Sequence, residues 1–171
     1  MAEEVMWAGR FVSAVRDGKW EYVKRSRGIR AVVILAETDE GELLLVEQHR
    51  VPIGRACLEL PAGLIGDGDS VEDSAEAAAA RELVEETGYR PEAVENLGEY
   101  YSSPGMLSES FTLIRATGLV RVGEGGGVDG EDIIVHRVTR ADVAQFIAAK
   151  RAAGVGIDAK LLLVLGSSSA S

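Results

Sequence analysis

Three carboxylates, Glu82, Glu85 and Glu86, stand at i, i+3 and i+4 within the run RELVEETGY, Arg81 to Tyr89. On a helix, which turns once every ~3.6 residues, that spacing stacks them on one face with neighbouring Cβ atoms about 5–6 Å apart. Anions held that close repel one another. A hard divalent cation, Mg²⁺ or Mn²⁺, removes the conflict, because such ions take their ligands from carboxylate oxygens. Ala80, Leu83, Val84 and Thr87 on the other side would hold the helix against a core. Arg81 precedes Glu85 by one helical turn and would orient its carboxylate by a charge-assisted hydrogen bond, and Gly88 would end the helix. A Glu-rich face taken alone is more often solvated surface, so the setting of this run decides its meaning.

Upstream stands ELPAG, Glu59 to Gly63, followed by a loop and then the helix. This ordered set resembles the Nudix box, Gx5Ex7REUxEExGU, where U is aliphatic or bulky. From Arg81 to Tyr89 the match is complete. Fourteen residues beyond Gly63 stands Ala77 instead of Arg81, so four extra residues separate the two halves. They are placed in the loop from Gly66 to Glu72, because DSAE, Asp73 to Glu76, reads as a helix-starting capping box with Asp73 or Ser74 as N-cap. Asp73 then occupies the place of the motif's first Glu with a shorter side chain. The register of Glu82, Glu85 and Glu86 is untouched.

VEQHR at 46 to 50, the ELPAG lead-in and SPG at 103 to 105 together resemble the ADP-ribose pyrophosphatase branch, whose usual mark is a proline about where Pro104 stands beyond the box. EDIIVH, 131 to 136, is similar to the segment of that branch in which an acid on a mobile loop approaches the substrate. The resemblance runs from about Trp20 to Leu165. It implies an α/β fold, a Nudix-type α/β/α sandwich with a mixed β-sheet. It also implies hydrolysis of a nucleoside diphosphate linked to another moiety, with ADP-ribose or a related sugar nucleotide as the substrate class. Mg²⁺ is the implied cofactor, held by Glu82, Glu85, Glu86 and the backbone carbonyl of Ala62, and Arg81 is counted with Glu85 and Glu131 among the catalytic residues. Glu131 is the first candidate for general base, and Glu85 or Glu86 the alternative. Glu109 and Pro104 fall at substrate-contacting positions. Arg50 either grips phosphate or ribose with its planar guanidinium or forms a surface salt bridge. Trp20 and Tyr22 either stack on adenine or serve the core or an interface. In this branch N-terminal strands, here about 8–27, cross to a second subunit, so a homodimer is implied. A binding module that has kept the fold without the chemistry is the competing class; such modules usually lose box residues, and this chain keeps Arg81 and all three glutamates.

The rest of the composition is compatible with this reading. A chain of 171 residues is expected to form one domain with a sizeable core. A formal net charge of -10, with 18 Lys and Arg against 28 Asp and Glu, argues against nucleic acid as partner. A polyanionic small molecule would then need locally placed arginines and metal. Cys57 is the only cysteine, which excludes an internal disulfide and suits a reducing cytoplasm. MAEEVMWAGR has no apolar signal-peptide core, and LLLVL, Leu161 to Leu165, is far too short to cross a bilayer, so no membrane partner is expected.

To position these groups, the pattern predicts strands at Trp20 to Lys24, Ile29 to Leu35, Leu43 to Gln48, Ala56 to Leu60, Glu95 to Ser102, Phe111 to Thr117 and Ile133 to Val138. It predicts helices over Ser74 to Thr87 and Ala141 to Ala152, and a short one capped by Asp158 and running through Leu165. TDEG at 38 to 41 signals a turn, and residues 166–171 read as a disordered tail. The glycine-rich stretches at 63 to 68 and 123 to 127 lack the Lys-Ser/Thr of a P-loop and read as flexible acidic loops, the second a hinge for the acids that follow.

Overall fold

A computed structural model describes residues 3–25, 30–66, 74–128 and 130–166. The chain begins with a three-stranded antiparallel sheet of β1 (Glu4–Ala8), β2 (Val12–Asp17) and β3 (Trp20–Arg25). Two four-stranded sheets follow. The first has the order β7-β4-β10-β9, built from β4 (Arg30–Ala36), β7 (Ala62–Ile65), β9 (Ala93–Tyr101) and β10 (Ser110–Thr117). Its central pair, β4 and β10, is parallel, whereas β7 and β9 join antiparallel at the edges. The second sheet has the order β12-β5-β6-β13, from β5 (Glu42–Arg50), β6 (Arg55–Glu59), β12 (Ile134–Thr139) and β13 (Gly156–Ile157). A short ladder pairs β8 (Tyr89–Arg90) with β11 (Val120–Arg121).

Strand β4 shows why the layers form. Its run AVVIL is apolar at every position, as a strand buried on both faces must be. Val33 and Leu35 turn toward Leu43, Leu45, Leu58, Leu113 and residues of helix α2 (Val143–Ala152) and helix α3 (Leu162–Gly166). Val32, Ile34 and Ala36 turn toward Ala78, Ala79 and Leu83 of helix α1 (Ala75–Thr87). Helices thus cover opposite sides of mixed sheets, the α/β/α arrangement that the resemblance implies. Each fully buried Val, Leu or Ile in these layers contributes about 1.5–3 kcal/mol.

The predicted strands are present with ends shifted by a residue or two, and the 38 to 41 turn closes on Thr38, whose hydroxyl accepts the Glu42 N–H. Helix α2 starts later than predicted, at Val143. Strands β1, β2, β7, β8, β11 and β13 are additional. The predicted tail from 167 onward and the loop at 67–73, including Asp73, lie outside the described residues. Cys57 is buried in β6, where desolvation pushes its thiol up to about 11. His136 is tied to buried Glu47, which also receives Lys150, so one carboxylate joins β12, β5 and α2. His49 is exposed on β5.

Candidate active site

Helix α1 carries the three carboxylates, and its ends are fixed locally. The Ser74 hydroxyl accepts the Ala77 N–H at 3.1 Å, and Gly88 closes the last turn at φ 76° with its N–H on the Val84 carbonyl. The buried face is Ala78, Ala79, Leu83 and Thr87. This corrects the expected set, since Ala80 and Val84 are half-buried and Glu86 turns inward. The cause is β7 lying beneath the acidic edge. Its Ala62 N–H donates to Glu86 Oε2 at 3.1 Å and holds the carboxylate under the surface. Gly63, next in β7, lets Glu82 approach: a Cβ there would stand 2.0 Å from Glu82 Cδ.

Crowding and burial perturb these acids. Burial pushes Glu86 up to about 8, and the Glu82 and Glu131 charges add to it against the Ala62 N–H and Arg50. Glu82 is raised as well, first by burial and then by Glu85. Arg81 corrects a second expectation. It reaches the Leu64 carbonyl at 3.4 Å and Glu82 Oε1 at 3.5 Å, tying α1 to β7, where the sequence suggested Glu85.

Glu82, Glu85 and Glu86 line a cleft of about 500 Å³ together with Arg50, Glu109 and Glu131, each named by the sequence. Ala62 and Gly63 form part of its wall. The cleft also includes Arg25, Gln48 and Glu59, which sequence reasoning missed. Glu59 had a usable signal: an acid inside the apolar run CLEL is either paired or functional. Here it is 5% exposed and takes both arms of Arg50, at 2.7 Å each. Arg50 thus forms a salt bridge, to a buried acid and not at the surface as expected, and stands in the wall of the cleft. The Nε of Arg25 of β3 pairs with Glu109, joining the N-terminal sheet to the rim. Pro104 is exposed in the 103–106 turn and is not among the lining residues; Trp20 is 60% exposed at the start of β3 and does not line the cleft either. The Tyr22 hydroxyl donates to Glu3 at 2.7 Å.

The glycine-rich loop at 123 to 127 is neither cradle nor free hinge. Gly126 and Gly127 donate to the carbonyls of Glu86 (2.9 Å) and Glu85 (3.0 Å), and Val122 and Gly123 donate to that of Gly88. These are carbonyls that a helix end leaves without intrahelical partners. Sequence reading took the glycines for flexibility because the acceptors lie some forty residues earlier in the chain.

The donor set fits a hard divalent cation, because a buried carboxyl at about 8 beside two other acids is a charge conflict that such an ion relieves. Among the described residues no three acids, histidines or cysteines are placed so that they could hold a metal ion as they stand, so the carboxylates of α1 would have to turn toward it. Glu82, Glu85 and Glu86 are the residues that would hold the ion.

The model of the NUDIX domain matches residues 27–154. The chain belongs to the Nudix family. An "ADP-ribose pyrophosphatase" of Bacillus subtilis (strain 168) is 34% identical over 121 residues, covering 70% of this chain and 63% of that protein. The chain thus spans less than two thirds of that relative's length. A "GDP-mannose pyrophosphatase" of Cronobacter sakazakii is 35% identical over 162 residues, 88% of this chain and 80% of the relative. A solved chain described as "Crystal structure of ADP compounds hydrolase" superposes with a TM-score of 0.66 at 24% identity, covering 86% of this chain and 81% of its own, a likeness of fold. Members of the Nudix family typically depend on a divalent metal. No helix among the described residues is long and apolar enough to cross a membrane.

Proposed function

We propose that this chain hydrolyses the pyrophosphate bond of ADP-ribose or a related nucleoside diphosphate sugar, yielding a nucleoside monophosphate and a sugar phosphate, with Mg²⁺ as cofactor. The observation that carries the reading is the convergence of Glu82, Glu85, Glu86 and Glu131 on one cleft that also contains Arg25 and Arg50. Relatives named for ADP-ribose and GDP-mannose support the substrate class and leave the base and sugar open. When bound, a divalent cation neutralises phosphate oxygens and lowers the pKa of water. Glu131 takes a proton from the attacking water as its oxygen bonds to phosphorus and the bridging P–O bond breaks, the leaving phosphate carrying away the electron pair. Arg50 contacts phosphate or ribose while Glu59 holds its guanidinium plane. Glu109 contacts substrate from the rim.

The whole chain is read as one cytoplasmic domain that dimerises through its N-terminal strands. Val5, Trp7, Phe11 and Trp20 are each more than half exposed there, an apolar display that a second copy would cover. Trp20 would then reach substrate only in a partner's cleft.

The test is a panel of ADP-ribose, ADP-glucose, GDP-mannose and dinucleotides, with a coupling phosphatase and with Mg²⁺ or chelator. Metal-dependent cleavage strongest for ADP-ribose is expected. Absence of cleavage with tight binding of one member would replace this reading by that of a sensing module.

A further inference from the structure

Three successive glycines, Gly125, Gly126 and Gly127, all have positive φ, at 71°, 105° and 82°, yet a side chain at each would meet something different. A Cβ at Gly125 would strike the helix end, 2.5 Å from the Thr87 carbonyl carbon. At Gly126 it would meet nothing closer than 3.9 Å. At Gly127 it would stand 2.6 Å from Glu131 Oε2 and 2.8 Å from Glu131 Cβ. The Glu131 carboxylate lies in that gap because it accepts the Val128 N–H at 3.2 Å, while the Glu131 N–H returns to the Val128 carbonyl at 3.0 Å. The Gly127 N–H is in turn bound to Glu85, one of the three acids of α1. A loop that only capped the helix would need its N–H groups and its positive φ, but not the close fit of Glu131 against Gly127.

We propose that Gly127 is a positioning residue: lacking a side chain, and anchored to the Glu85 carbonyl, it sets the Glu131 carboxylate in one place relative to the acids of α1. The inference rests on the reading of Glu131 as general base. Helix and loop acid then move as one body, and the geometry of proton removal is set by the end of α1 instead of by loop motion.

The experiment compares Gly127→Ala, Gly126→Ala, Glu131→Gln and the Gly127→Ala/Glu131→Gln double variant. It uses ADP-ribose with Mg²⁺, thermal unfolding, and amide exchange at Val128. Both alanines would sit at positive φ, which L side chains rarely adopt, so Gly126→Ala controls for strain. Gly127→Ala is expected to lower kcat at least ~10-fold with KM within about three-fold, and to speed exchange at Val128, while Gly126→Ala loses ~10-fold less. On the Glu131→Gln background it should add no more than about two-fold, because the group it positions is gone. Losses that multiply in the double variant, or equal losses at 126 and 127, would overturn the inference and leave the general base standing. Full activity of Glu131→Gln would remove the general base and this inference with it. If the alanine unfolds the protein, Gly127→Asn, which tolerates positive φ, must show the same pattern.

Discussion

Replacing Glu86 by Gln should stabilise the metal-free protein while abolishing its metal-dependent turnover. Glu86 is 6% exposed, and burial pushes its carboxyl up to about 8 from an ordinary 4.5. Below 4.5 the group is protonated in folded and unfolded chains alike and does not affect stability. Between 4.5 and 8 the unfolded chain ionises first, the folded chain binds more protons, and stability falls as pH rises. Above 8 the full cost is present. The distance between the two values corresponds to a ceiling of roughly 5 kcal/mol, and local relaxation reduces the expected gap to on the order of 2–3 kcal/mol. Gln is uncharged and keeps an oxygen for the Ala62 N–H, so it escapes this cost. The assay is urea unfolding of both proteins in chelator from pH 4 to 9, where carboxylates remote from Glu86 cancel in the difference and only its neighbours Glu82 and Glu131 respond with it. The curves should coincide at pH 4 and separate up to pH 8, with the Gln variant more stable. Adding Mg²⁺ should raise the parent selectively, since an ion that binds only the folded state stabilises it. Parallel curves across the whole range would refute the buried, charge-strained carboxyl and the argument for a cation built on it.

Gly63→Ala should cost metal-dependent turnover at least ~10-fold with the fold intact, because its Cβ displaces Glu82 without any backbone penalty; turnover against circular dichroism checks this. Arg50→Ala should lower the unfolding midpoint by leaving Glu59 buried and unpaired, and adding Glu59→Gln should restore the midpoint but not KM; recovery of both would make Arg50 purely structural. Light scattering at micromolar concentration should give the mass of a dimer, and Trp20→Asp together with Phe11→Asp should give that of a monomer; a monomeric parent would remove Trp20 from the substrate site.

The acid stripe of α1 was readable in the sequence because helical spacing maps directly onto a face, and the apolar runs of β4, β5 and β10 announce their own burial. What escaped depended on distant neighbours. The inward turn of Glu86 is caused by the N–H of Ala62, twenty-four residues upstream, and no periodicity encodes that. Arg81 is drawn to Leu64 for the same reason. The glycines at 125 to 127 read as flexibility because glycine composition is the same for a loose loop and for a tight approach to a helix end. Strands β8, β11 and β13 are two residues each, too short to show alternation.

The parallel pairing at the centre of the first sheet bears on how the chain reaches this state. Ala31 of β4 lies beside Phe111 of β10, eighty residues downstream, and α1 packs on both strands. During synthesis the platform beneath the acidic helix cannot close until Thr117 has left the ribosome, because β4 and β7 alone lack their central partner. Nascent chains shorter than this expose the apolar edge of β4 and carry the acids on an unsupported helix. Protease resistance of α1 should therefore appear once β10 is complete and rise again when residues 122–127 cap its end, and Glu131 should join the acids of α1 only at that later step.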